Sequence, residues 1–438
     1  MTWTKVKLGN YIDVFTGYPF KSKEFNIDGL GMRLVRGKNV TKGNLRWGDD
    51  TRYWEDIDEN TKKYLLKEDD VVIGMDGSLV GQNYTRIKKG DLPLLLVQRV
   101  AALRAKKDIN QKYIYYLIDN TNFINYVSSI KTGTSIPHIS AKQIKEFEFF
   151  LPPYQEQIRI VELLEPLYQK IEVNNNISKS LNDIANAIFK NWFLDFDVLD
   201  VDGLSFKTSN DKLVDSELGL IPKGWEIKKI GDFINITDYV ANGSFASLKE
   251  NVNTSDANGY AILIRLVDYK RNFKGPFVYV DEKGYNFLKK SKLNGGEIII
   301  SNVGANAGTV FKAPKLEKPM TLGPNSIMLE DNKYNNFIYY YLTSHNGQES
   351  IKGILGGSAQ PKFNKTDFRN LKIILPSDTI IENFNKIMDP VVSRLQTVSQ
   401  ENNKIKTLRD SLLTKLIAGE IRIPKAEEEV EECLQKSN

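Results

Sequence analysis

Two stretches of the chain, residues 152–196 and 376–421, share one helical pattern, and this repetition constrains the fold more than any other feature. In the first stretch, apolar side chains recur every three to four residues, as they do on one face of a long helix. These positions are Leu167, Ile171, Ile177, Leu181, Ile184, Ile188 and Trp192. A long helix with a single apolar face needs a partner to cover it. The second stretch has a matching face, so the two helices are predicted to pair as a coiled coil.

A proline fixes where the first long helix is expected to begin. Proline lacks an amide hydrogen and its ring clashes with the preceding turn, so it is tolerated in the first turn of a helix but not in the interior. Pro166 lies inside the first stretch. We therefore expect a short helix over residues 155–165, followed by a long helix that starts at Pro166.

The repetition extends beyond the helices at a constant shift of 224 residues. Pro152 matches Pro376 and Gly133 matches Gly357, and small slips in the shift also bring Trp3 onto Trp225. The alternative is two unrelated helices that look alike because Leu and Ile stripes are common. A constant shift that includes prolines argues against it. The chain is therefore predicted to be a tandem duplication, each copy a mixed α/β domain followed by a long helix.

Turn signals and composition divide the chain into six predicted segments. They are a mixed α/β domain at 1–151, a helical region at 152–197, a linker at 198–222, a second mixed domain at 223–375, a second helical region at 376–424 and an acidic, flexible tail at 425–438. Within the first domain, 71–75 and 94–103 are predicted as buried strands and 110–130 as a helix. The predicted fold is two globular domains separated by two long helices that pair as an antiparallel coiled coil, with an internal pseudo-twofold repeat.

Composition excludes several classes of protein. No run of 18 apolar residues and no basic, apolar leader is present, so we expect a cytoplasmic protein that does not cross a membrane. Cys433 is the one cysteine, which leaves no disulfide framework and no thiol metal site. The two histidines, His138 and His345, are far apart and suit neither a zinc site nor a Ser-His-Asp triad. The net charge of +5 is compatible with an anionic partner.

Catalytic motifs are approached but not completed. Leu151-Pro152-Pro153-Tyr154 resembles the Asn/Asp-Pro-Pro-Tyr/Phe loop of adenine-N6 methyltransferases, but leucine cannot accept a hydrogen bond from the amino group to be methylated. Gly37-Lys38 ends like a phosphate-binding loop, yet Met32 stands where its first glycine should be. No GxGxxG follows a strand. The sequence thus argues against an enzyme and predicts no cofactor and no metal in this chain.

The loops of the two mixed domains differ although their skeletons match. Where the first domain has Met75-Asp76-Gly77-Ser78, the second has Asn302-Val303-Gly304-Ala305. Ser135-Ile136-Pro137-His138 is likewise replaced by Ala359-Gln360-Pro361-Lys362. One scaffold with two different loop surfaces suits recognition of a two-part, asymmetric target. Drift in loops without a function is the alternative.

The order and doubling of these motifs resemble the specificity (S) subunit of type I DNA restriction-modification enzymes. The marks of the helical regions are Leu151-Pro152-Pro153-Tyr154-Gln155-Glu156-Gln157, Phe189-Lys190-Asn191-Trp192-Phe193-Leu194-Asp195-Phe196 and Leu412-Leu413-Thr414-Lys415-Leu416-Ile417-Ala418-Gly419-Glu420-Ile421. Those of the mixed domains lie in Gly17–Phe25, Arg36–Val40, Gly74–Gly81 and Gly133–Ser140. The second repeat departs from the family by having Thr379-Ile380 in place of a Glu-Gln pair.

The resemblance implies a subunit without catalysis of its own. Each mixed domain is then a target-recognition domain that reads one half of a split, asymmetric site in double-stranded DNA. The paired helices dock two modification subunits, which methylate adenine, and through them the restriction subunits. S-adenosylmethionine, ATP and Mg are expected only in those partner subunits. Two alternatives stay open at this point: a divergent adenine methyltransferase, and a coiled-coil scaffold that does not bind DNA.

Basic and amide side chains in the loops are the candidate readers of DNA, because they donate to phosphates and base edges. The candidates are Lys21, Lys23, Arg36, Lys38, Asn39, Ser78, Gln82 and Ser135 in the first domain, and Arg265, Lys270, Arg271, Asn306, Gln360 and Lys362 in the second. The residues predicted to pair the helices are Leu167, Ile171, Leu181, Ile184, Ile188, Trp192, Leu395, Ile405, Leu408, Leu412 and Leu416.

Overall fold

A computed structural model describes residues 3–55, 57–132, 137–199, 205–207, 212–330, 332–357 and 360–435. The chain forms two compact units. The first unit joins residues 1–176 with residues 398–438, and the second is the continuous stretch 177–397. Each long helix is therefore shared between the two units.

The first mixed domain is built from short strands. They are β1 (Thr4–Lys7), β2 (Ile12–Thr16), β3 (Met32–Val35), β4 (Val40–Thr41), β5 (Asn44–Leu45), β6 (Tyr53–Trp54), β7 (Val71–Gly74), β8 (Tyr84–Arg86), β9 (Leu94–Leu96), β10 (Val100–Ala105) and β11 (Glu148–Leu151). A four-stranded antiparallel sheet has the order β2-β10-β7-β8, and a three-stranded sheet has the order β6-β3-β9 with β3 and β9 parallel. β1 pairs with β11, and β4 pairs with β5.

Buried aliphatic residues place these strands in the interior. Every residue of β7 and of β9 is buried, as expected for β-branched and aliphatic runs covered on both faces. The single strand predicted over 94–103 is wrong, because a turn separates β9 from β10 and the two strands belong to different sheets. The turn residues Gln98 and Arg99 are exposed.

Four helices precede the first long helix in the described part of the chain: α1 (Glu59–Lys62), α2 (Gln111–Ile118), α3 (Thr121–Ile130) and α4 (Ala141–Lys145). The helix predicted over 110–130 is two helices, because Asn120 interrupts it. The Asn120 side chain accepts a hydrogen bond from the Asn122 amide and so caps α3, as Asn110 caps α2. Asn is a favoured capping residue and is present in the sequence at both positions. The apolar periodicity, however, continues across Asn120, and the prediction followed the periodicity.

The first long helix, α5 (Tyr154–Phe189), runs through Pro166 without a break. The prediction that Pro166 opens the helix is therefore wrong. Neighbouring residues hold the helix on both sides of the proline: Leu164 and Leu167 are buried, and Glu165 forms two hydrogen bonds with Arg86. This tertiary anchoring outweighs the loss of one backbone hydrogen bond. A π-helical turn, Lys190–Leu194, follows α5.

The second mixed domain repeats the first in its topology. Its strands, with a hairpin before them, are β12 (Leu213–Ser216), β13 (Gly219–Pro222), β14 (Glu226–Lys229), β15 (Ile236–Asp238), β16 (Thr254–Ser255), β17 (Ala261–Ile264), β18 (Val278–Val280), β19 (Lys292–Leu293), β20 (Ile298–Ser301), β21 (Val310–Lys312), β22 (Met320–Leu322), β23 (Ser326–Leu329) and β24 (Lys372–Leu375). The orders β15-β23-β20-β21 and β16-β18-β17-β22-β19 contain the counterparts of the two larger sheets, and β17 is parallel to β22 as β3 is to β9. β14 pairs with β24 as β1 does with β11.

The remaining helices are α6 (Phe245–Asn251), α7 (Leu266–Lys270), α8 (Glu282–Phe287), α9 (Asn335–Thr343), α10 (His345–Gly353), α11 (Lys365–Arg369), α12 (Asp378–Ala418) and α13 (Ile423–Gln435). α12 contains Pro390 in its interior, as α5 contains Pro166. The predicted linker includes the β12–β13 hairpin and the buried residues Val198 and Phe206. Residues 425–435 of the segment predicted as a flexible tail lie in α13, in which Ala426 is buried and Glu429 pairs with Lys415 at 3.0 Å, and residues 436–438 lie outside the described residues.

In the first unit, the beginning of α5 and the end of α12 run antiparallel. Near one end of this packing Arg422 Nη1 lies 2.8 Å from Glu156 Oε1, and near the other Lys170 Nζ lies 3.0 Å from Glu401 Oε1. The buried side chains between these pairs are Ile160, Leu164, Leu167 and Ile171 on α5 and Ile405, Leu412, Leu413, Leu416 and Ile417 on α12. Leu408 is half-buried against the same core.

In the second unit, the end of α5 and the beginning of α12 pack through aromatic side chains. Phe189 and Phe193 are buried with Phe384 and Met388 of α12. The ring centroids of Phe193 and Phe384 are 4.8 Å apart in an edge-to-face arrangement. Ile188 and Trp192, which were predicted to face the partner helix, are half-buried against this core.

The buried face of α5 differs by one position from the predicted stripe in its second half. Ile184 is 50% exposed, so its assignment to the helix pairing is wrong, and Leu181 and Leu395 are only half-buried. The buried face instead passes through Asn174 and Ala185. These small or polar side chains are not counted in a search for apolar periodicity, which selects the neighbouring isoleucines. Within the described residues, no helix is long and apolar enough to cross a membrane.

Candidate nucleic-acid interface

Three loops of the first domain meet through backbone hydrogen bonds. The Gly77 amide donates to the Pro137 carbonyl at 3.0 Å, and the Met75 amide donates to the Arg99 carbonyl at 2.9 Å. The Ile139 amide completes the junction by donating to the Met75 carbonyl at 2.9 Å. The turn after β7, the turn before β10 and the segment 137–139 therefore form one surface, which we call loop cluster 1.

The second domain builds the same junction from different residues. The Gly304 amide donates to the Pro361 carbonyl at 2.8 Å, the Asn302 amide to the Asn325 carbonyl at 3.1 Å and the Phe363 amide to the Asn302 carbonyl at 3.1 Å. We call this surface loop cluster 2. The repeat thus preserves the backbone of the junction, hydrogen bond by hydrogen bond, while the side chains change.

Glycine is required at the centre of each cluster. Gly77 has φ +101° and Gly304 has φ +90°. Side chains with a Cβ rarely adopt these angles, so only glycine turns the chain here without strain. This requirement explains why the glycine is shared by both repeats while Asp76 and Val303 beside it differ.

One of the predicted readers, Asn39, is built into the domain interior. Asn39 is 1% exposed, its amide oxygen accepts from the Arg36 backbone amide, and its amide nitrogen donates to the Arg46 carbonyl. Its assignment as a DNA-contacting residue is therefore wrong. In the second domain the buried Asp268 takes the place of Asn39 and pairs with the Arg265 guanidinium at 3.0 Å.

Arg36 and Arg265 thus begin equivalent turns and are engaged within their own domains. Arg36 donates to the Asp50 carbonyl, and burial lowers the pKa of its guanidinium. Lys38, in the same turn, is exposed and pairs with the Asp50 carboxylate. A hydrogen bond from Lys38 lowers the pKa of Asp50.

The other predicted readers lie on the surface, except for Ser135, which lies outside the described residues. Ser78 and Gln82 are exposed beside Gly77 in loop cluster 1, and Lys21 and Lys23 are exposed on a separate loop. In the second domain, Gln360 and Lys362 are exposed in loop cluster 2. Lys270 and Asn306 come together, with Nζ 2.7 Å from Oδ1, and Arg271 is exposed next to them.

Arg99 is a surface residue of loop cluster 1 that the sequence reasoning missed. Its side chain is 70% exposed, and its Nη1 lies 2.8 Å from Asp76 Oδ2. The prediction of a single buried strand over 94–103 leaves no exposed turn at this position. The repeat alignment contained the signal, since Asn325 occupies the equivalent turn of the second domain.

The arrangement is suited to binding an anion. The exposed cations Lys21, Lys38 and Arg99 each pair with an acid of their own domain: Glu24, Asp50 and Asp76. Exposed pairs of this kind contribute about 0–1 kcal/mol to stability, so a phosphate can displace them at little expense. Among the described residues, no three His, Cys, Asp or Glu side chains are grouped to hold a metal ion.

A polar network fastens the first domain to α5. Arg86 Nη1 and Nη2 donate to the two carboxylate oxygens of Glu165 at 2.8 and 2.6 Å, and the Tyr116 hydroxyl donates to Oε2 at 2.5 Å. Burial alone would raise the pKa of Glu165, but the bonds from Arg86 and Tyr116 lower it to about 2. The helix therefore holds the sheet that carries loop cluster 1 in a fixed position.

The second domain is fastened at the equivalent place. Asp389 precedes Pro390 as Glu165 precedes Pro166, and it accepts a hydrogen bond from Asn336 at 2.7 Å. Asn336 in turn accepts one from Lys312, at the end of β21, at 3.2 Å. Arg86 ends β8 in the same way, so both domains connect a basic strand end to an acidic residue on the helix.

The strand-to-helix motif of the first repeat has a structural explanation. The side chain of Gln157 is fully buried, accepts from the Asn110 amide at 2.8 Å and donates to the Pro152 carbonyl at 3.0 Å. At the shift of 224 the counterparts of Glu156 and Gln157 are Ile380 and Ile381, one position later than the predicted Thr379-Ile380, and Ile381 is also fully buried. The Glu-Gln pair therefore closes the junction in the first repeat only.

Comparisons with known proteins agree with the doubled architecture. The family model described as "Type I restriction modification DNA specificity domain" matches residues 1–183 and 222–407. The MjaIX specificity subunit of a type I restriction enzyme from Methanocaldococcus jannaschii is 27% identical over 353 residues, which is 78% of this chain and 75% of that protein. The EcoBI specificity subunit from Escherichia coli is 22% identical over 462 residues, covering 96% of this chain and 86% of the relative.

A solved structure shares the fold along nearly the whole chain. The S subunit of a type I restriction-modification system from M. genitalium superimposes with a TM-score of 0.59 and 17% sequence identity, covering 95% of this chain and 96% of that one. At this identity the likeness concerns the fold alone.

Proposed function

This chain belongs to the family of type I restriction-modification DNA specificity proteins, and we propose that it recognises a two-part, asymmetric DNA site and docks the other subunits of its complex. The curated relatives are named specificity subunits of their restriction enzymes, so the chain is a non-catalytic member of such a system. The activities of methylation and cleavage then belong to partner subunits, together with S-adenosylmethionine, ATP and Mg.

The two loop clusters carry the proposal of a split, asymmetric site. Both clusters have the same backbone hydrogen bonds, but Asp76 and Arg99 in one stand where Val303 and Asn325 stand in the other. Because the backbones of the two clusters match, both can present side chains to DNA from equivalent positions. Because those side chains differ, they are expected to select different bases. Each cluster is proposed to read one half-site in double-stranded DNA.

The exposed residues near the clusters divide into two kinds of contact. Lysines such as Lys21, Lys38 and Lys362 suit phosphates, which fix the position of the protein on the duplex. Amide side chains such as Gln82 and Gln360 suit base edges, which they bond through both oxygen and nitrogen. We also propose the cytoplasmic location expected from the sequence, because the proposed target is DNA.

The paired helices are proposed to form one antiparallel coiled coil that separates the recognition domains and binds two modification subunits, through which restriction subunits join. The antiparallel packing inside each unit supports this proposal.

Leu412 is fully buried in the first unit, so Leu412→Asp places a charge in the interface and is expected to abolish assembly with the modification subunits. Gln82→Ala, in an exposed loop, is the matched variant that leaves assembly intact. Size-exclusion chromatography with light scattering measures both, and a full-size complex with Leu412→Asp contradicts the proposed role of the helices.

Methylome sequencing tests the DNA-binding proposal directly. A host that carries this chain with its modification subunit is expected to show methylated adenines in a motif with two specific halves of different sequence, separated by unspecified bases. A host without this chain is the control and should lack the motif. A continuous or palindromic motif contradicts the two-part reading, and absence of any motif contradicts DNA recognition itself.

A further inference from the structure

Arg99 lies in a turn whose backbone disfavours arginine. The Val100 amide donates to the Val97 carbonyl at 3.2 Å, which makes Arg99 the third of four turn residues, and its φ is +68°. Positive φ at this place favours Gly or Asn, and it is uncommon for side chains with a long aliphatic stem. Local structure alone therefore does not account for the arginine.

The repeat shows which residue the turn prefers. At the equivalent position of the second domain stands Asn325, preceded by Pro324, with φ +64°. Proline followed by asparagine suits the two central places of such a turn. The same backbone is thus occupied by a favoured residue in one domain and by a strained one in the other. Strain of this kind is retained at functional sites.

Asp76 orients the Arg99 side chain but, within the described residues, bonds only one of its nitrogen atoms. Its Nη1 pairs with Asp76 Oδ2 at 2.8 Å, and within the described residues no acceptor is bonded to Nε or Nη2. Those two atoms form one edge of the guanidinium fork, and the side chain is 70% exposed at the centre of loop cluster 1. An ion pair at one corner restricts the rotation of the group, so it presents the free edge with less entropy to lose.

We propose that Arg99 is a specificity-determining residue, which reads a guanine in the half-site of the first domain through the free edge of its guanidinium. A guanine offers O6 and N7 as a pair of acceptors in the major groove, and arginine is the side chain that bonds both at once. The inference rests on the proposed function, since it assigns one base contact within loop cluster 1. Asn39 is excluded from this role by its burial and by the internal bonds at both ends of its amide. Arg36 is half-buried, and its Nη2 donates to the Asp50 carbonyl of its own domain.

Arg99→Asn separates base reading from folding, because it gives the turn the residue that the second domain already uses. The thermal unfolding temperature is expected to be unchanged or raised, since the strain is relieved and an exposed ion pair contributes little. The methylated motif is expected to lose its preference for guanine at one position of one half-site. The loss corresponds to roughly 10- to 100-fold in relative methylation of matched over mismatched sites.

The experiment uses the full chain in complex with its modification subunits and a pool of duplexes in which each position of the wild-type motif is randomised. Methylated duplexes are sequenced for the wild type, Arg99→Asn and Arg99→Lys, and the half-site of the second domain is the internal control. Relaxation at one guanine in one half supports the inference. An unchanged motif overturns it, and so does a uniform weakening of all sites with a lower salt dependence, which is typical of a phosphate contact.

Two further outcomes are distinguishable. Absence of a split motif for the wild type contradicts the proposed function before the variant is considered. If Arg99→Asn supports no methylation, Arg99→Lys decides the matter because it keeps the charge but loses the two-pronged geometry. A motif that becomes degenerate at one position supports the assignment of Arg99, whereas a motif identical to that of the wild type overturns it.

Discussion

The two units of this protein bury their helices with different side chains. In the first unit the interface of α5 and α12 is aliphatic, with Leu164 and Leu412 fully buried, and a network of Glu165 with Arg86 and Tyr116 lies beside it. In the second unit the interface is aromatic and centres on Phe193, whose ring lies within 6.2 Å of the rings of Phe189, Trp192, Trp225, Phe337 and Phe384. At the shift of 224, the counterpart of Phe193 is Ile417.

The difference teaches which features a duplicated fold keeps and which it exchanges. Strand order, the parallel β3–β9 and β17–β22 pairs and the backbone of the loop clusters are common to both units. The side chains that fill the interface between α5 and α12 differ between the two units. Volume can be supplied by leucines or by rings, provided that the interior is filled.

The largest expected effect follows from the aromatic centre. Phe193→Ala is expected to destabilise the second unit by about 4 kcal/mol, because it removes a buried ring and leaves a cavity. Hydrogen-deuterium exchange with mass spectrometry measures the opening of each unit separately, and the first unit should be unaffected. Ile184→Ala, on the same helix but exposed, is the control, with a change within about 0.5 kcal/mol. Equal effects of the two variants contradict the aromatic core.

A smaller effect is expected where the domains are fastened to the helices. Glu165→Ala removes two hydrogen bonds from Arg86 and one from Tyr116 and leaves Asp69, 3.5 Å from Arg86 Nε, as the remaining acidic partner, so it should destabilise the first unit by about 3 kcal/mol. Asp389→Ala removes a hydrogen bond at an exposed position and should cost about 1.5 kcal/mol in the second unit. The same exchange measurement compares the two variants. An effect of Asp389→Ala as large as that of Glu165→Ala means that the two fastenings are equivalent after all.

Acid pH tests the fastening of the first domain. The pKa of Glu165 is lowered from 4.5 to about 2 in the folded state, so the stability that it contributes is complete above pH 4.5 and is lost as the pH falls towards about 2. Glu165→Gln cannot ionise, and its urea midpoint should therefore fall less steeply over that range than the midpoint of the wild type. Far-UV circular dichroism follows the unfolding. Parallel pH profiles for the two proteins are the contrary result.

The smallest expected effect concerns polar residues within the helix pair of the first unit. Asn174 is fully buried and donates to Glu401 at 2.9 Å, and Asn402 donates to Asn175 at 3.0 Å. Within the described residues, the side-chain oxygens of Asn174 and Asn402 have no partner. Asn174→Leu is expected to stabilise the first unit by less than about 1 kcal/mol, because an unsatisfied buried oxygen is replaced by an apolar group. Thermal unfolding measures the change, and a loss of stability contradicts this expectation.

Much of the architecture was predictable because residues with strong local preferences mark the repeat. Prolines, glycines and apolar strands recur at one spacing, and the topology of the two domains follows it. The loops around Gly77 and Gly304 were identified for the same reason, since glycine at positive φ cannot be exchanged without strain.

Other features depend on tertiary contacts that no local pattern contains. The interruption predicted at Pro166 is absent because Leu164, Glu165 and Leu167 are held by the rest of the unit. The buried face passes through Ala185 rather than Ile184, and Ala185 belongs to the same core as Phe384 and Met388, which the apolar periodicity of the sequence does not indicate.

The candidate site was predictable as a set of loops but not as a set of side chains. Asn39 has the right chemistry for a base contact, yet both ends of its amide are used inside the domain. Arg99 was overlooked because the surrounding apolar residues disguise a turn as a strand. Which polar residue faces outward is decided by the turn geometry.

The division of the units has a consequence for the order in which they are completed during synthesis. The second unit is one continuous stretch, whereas the first needs residues 398–438 to cover the apolar face of α5 at Leu164 and Leu167. A ribosome that adds about 5–20 residues per second takes roughly 10 to 45 seconds to cross residues 177–397. During that interval the apolar face of α5 is not yet covered by α12. The first unit is therefore begun before the second and completed after it.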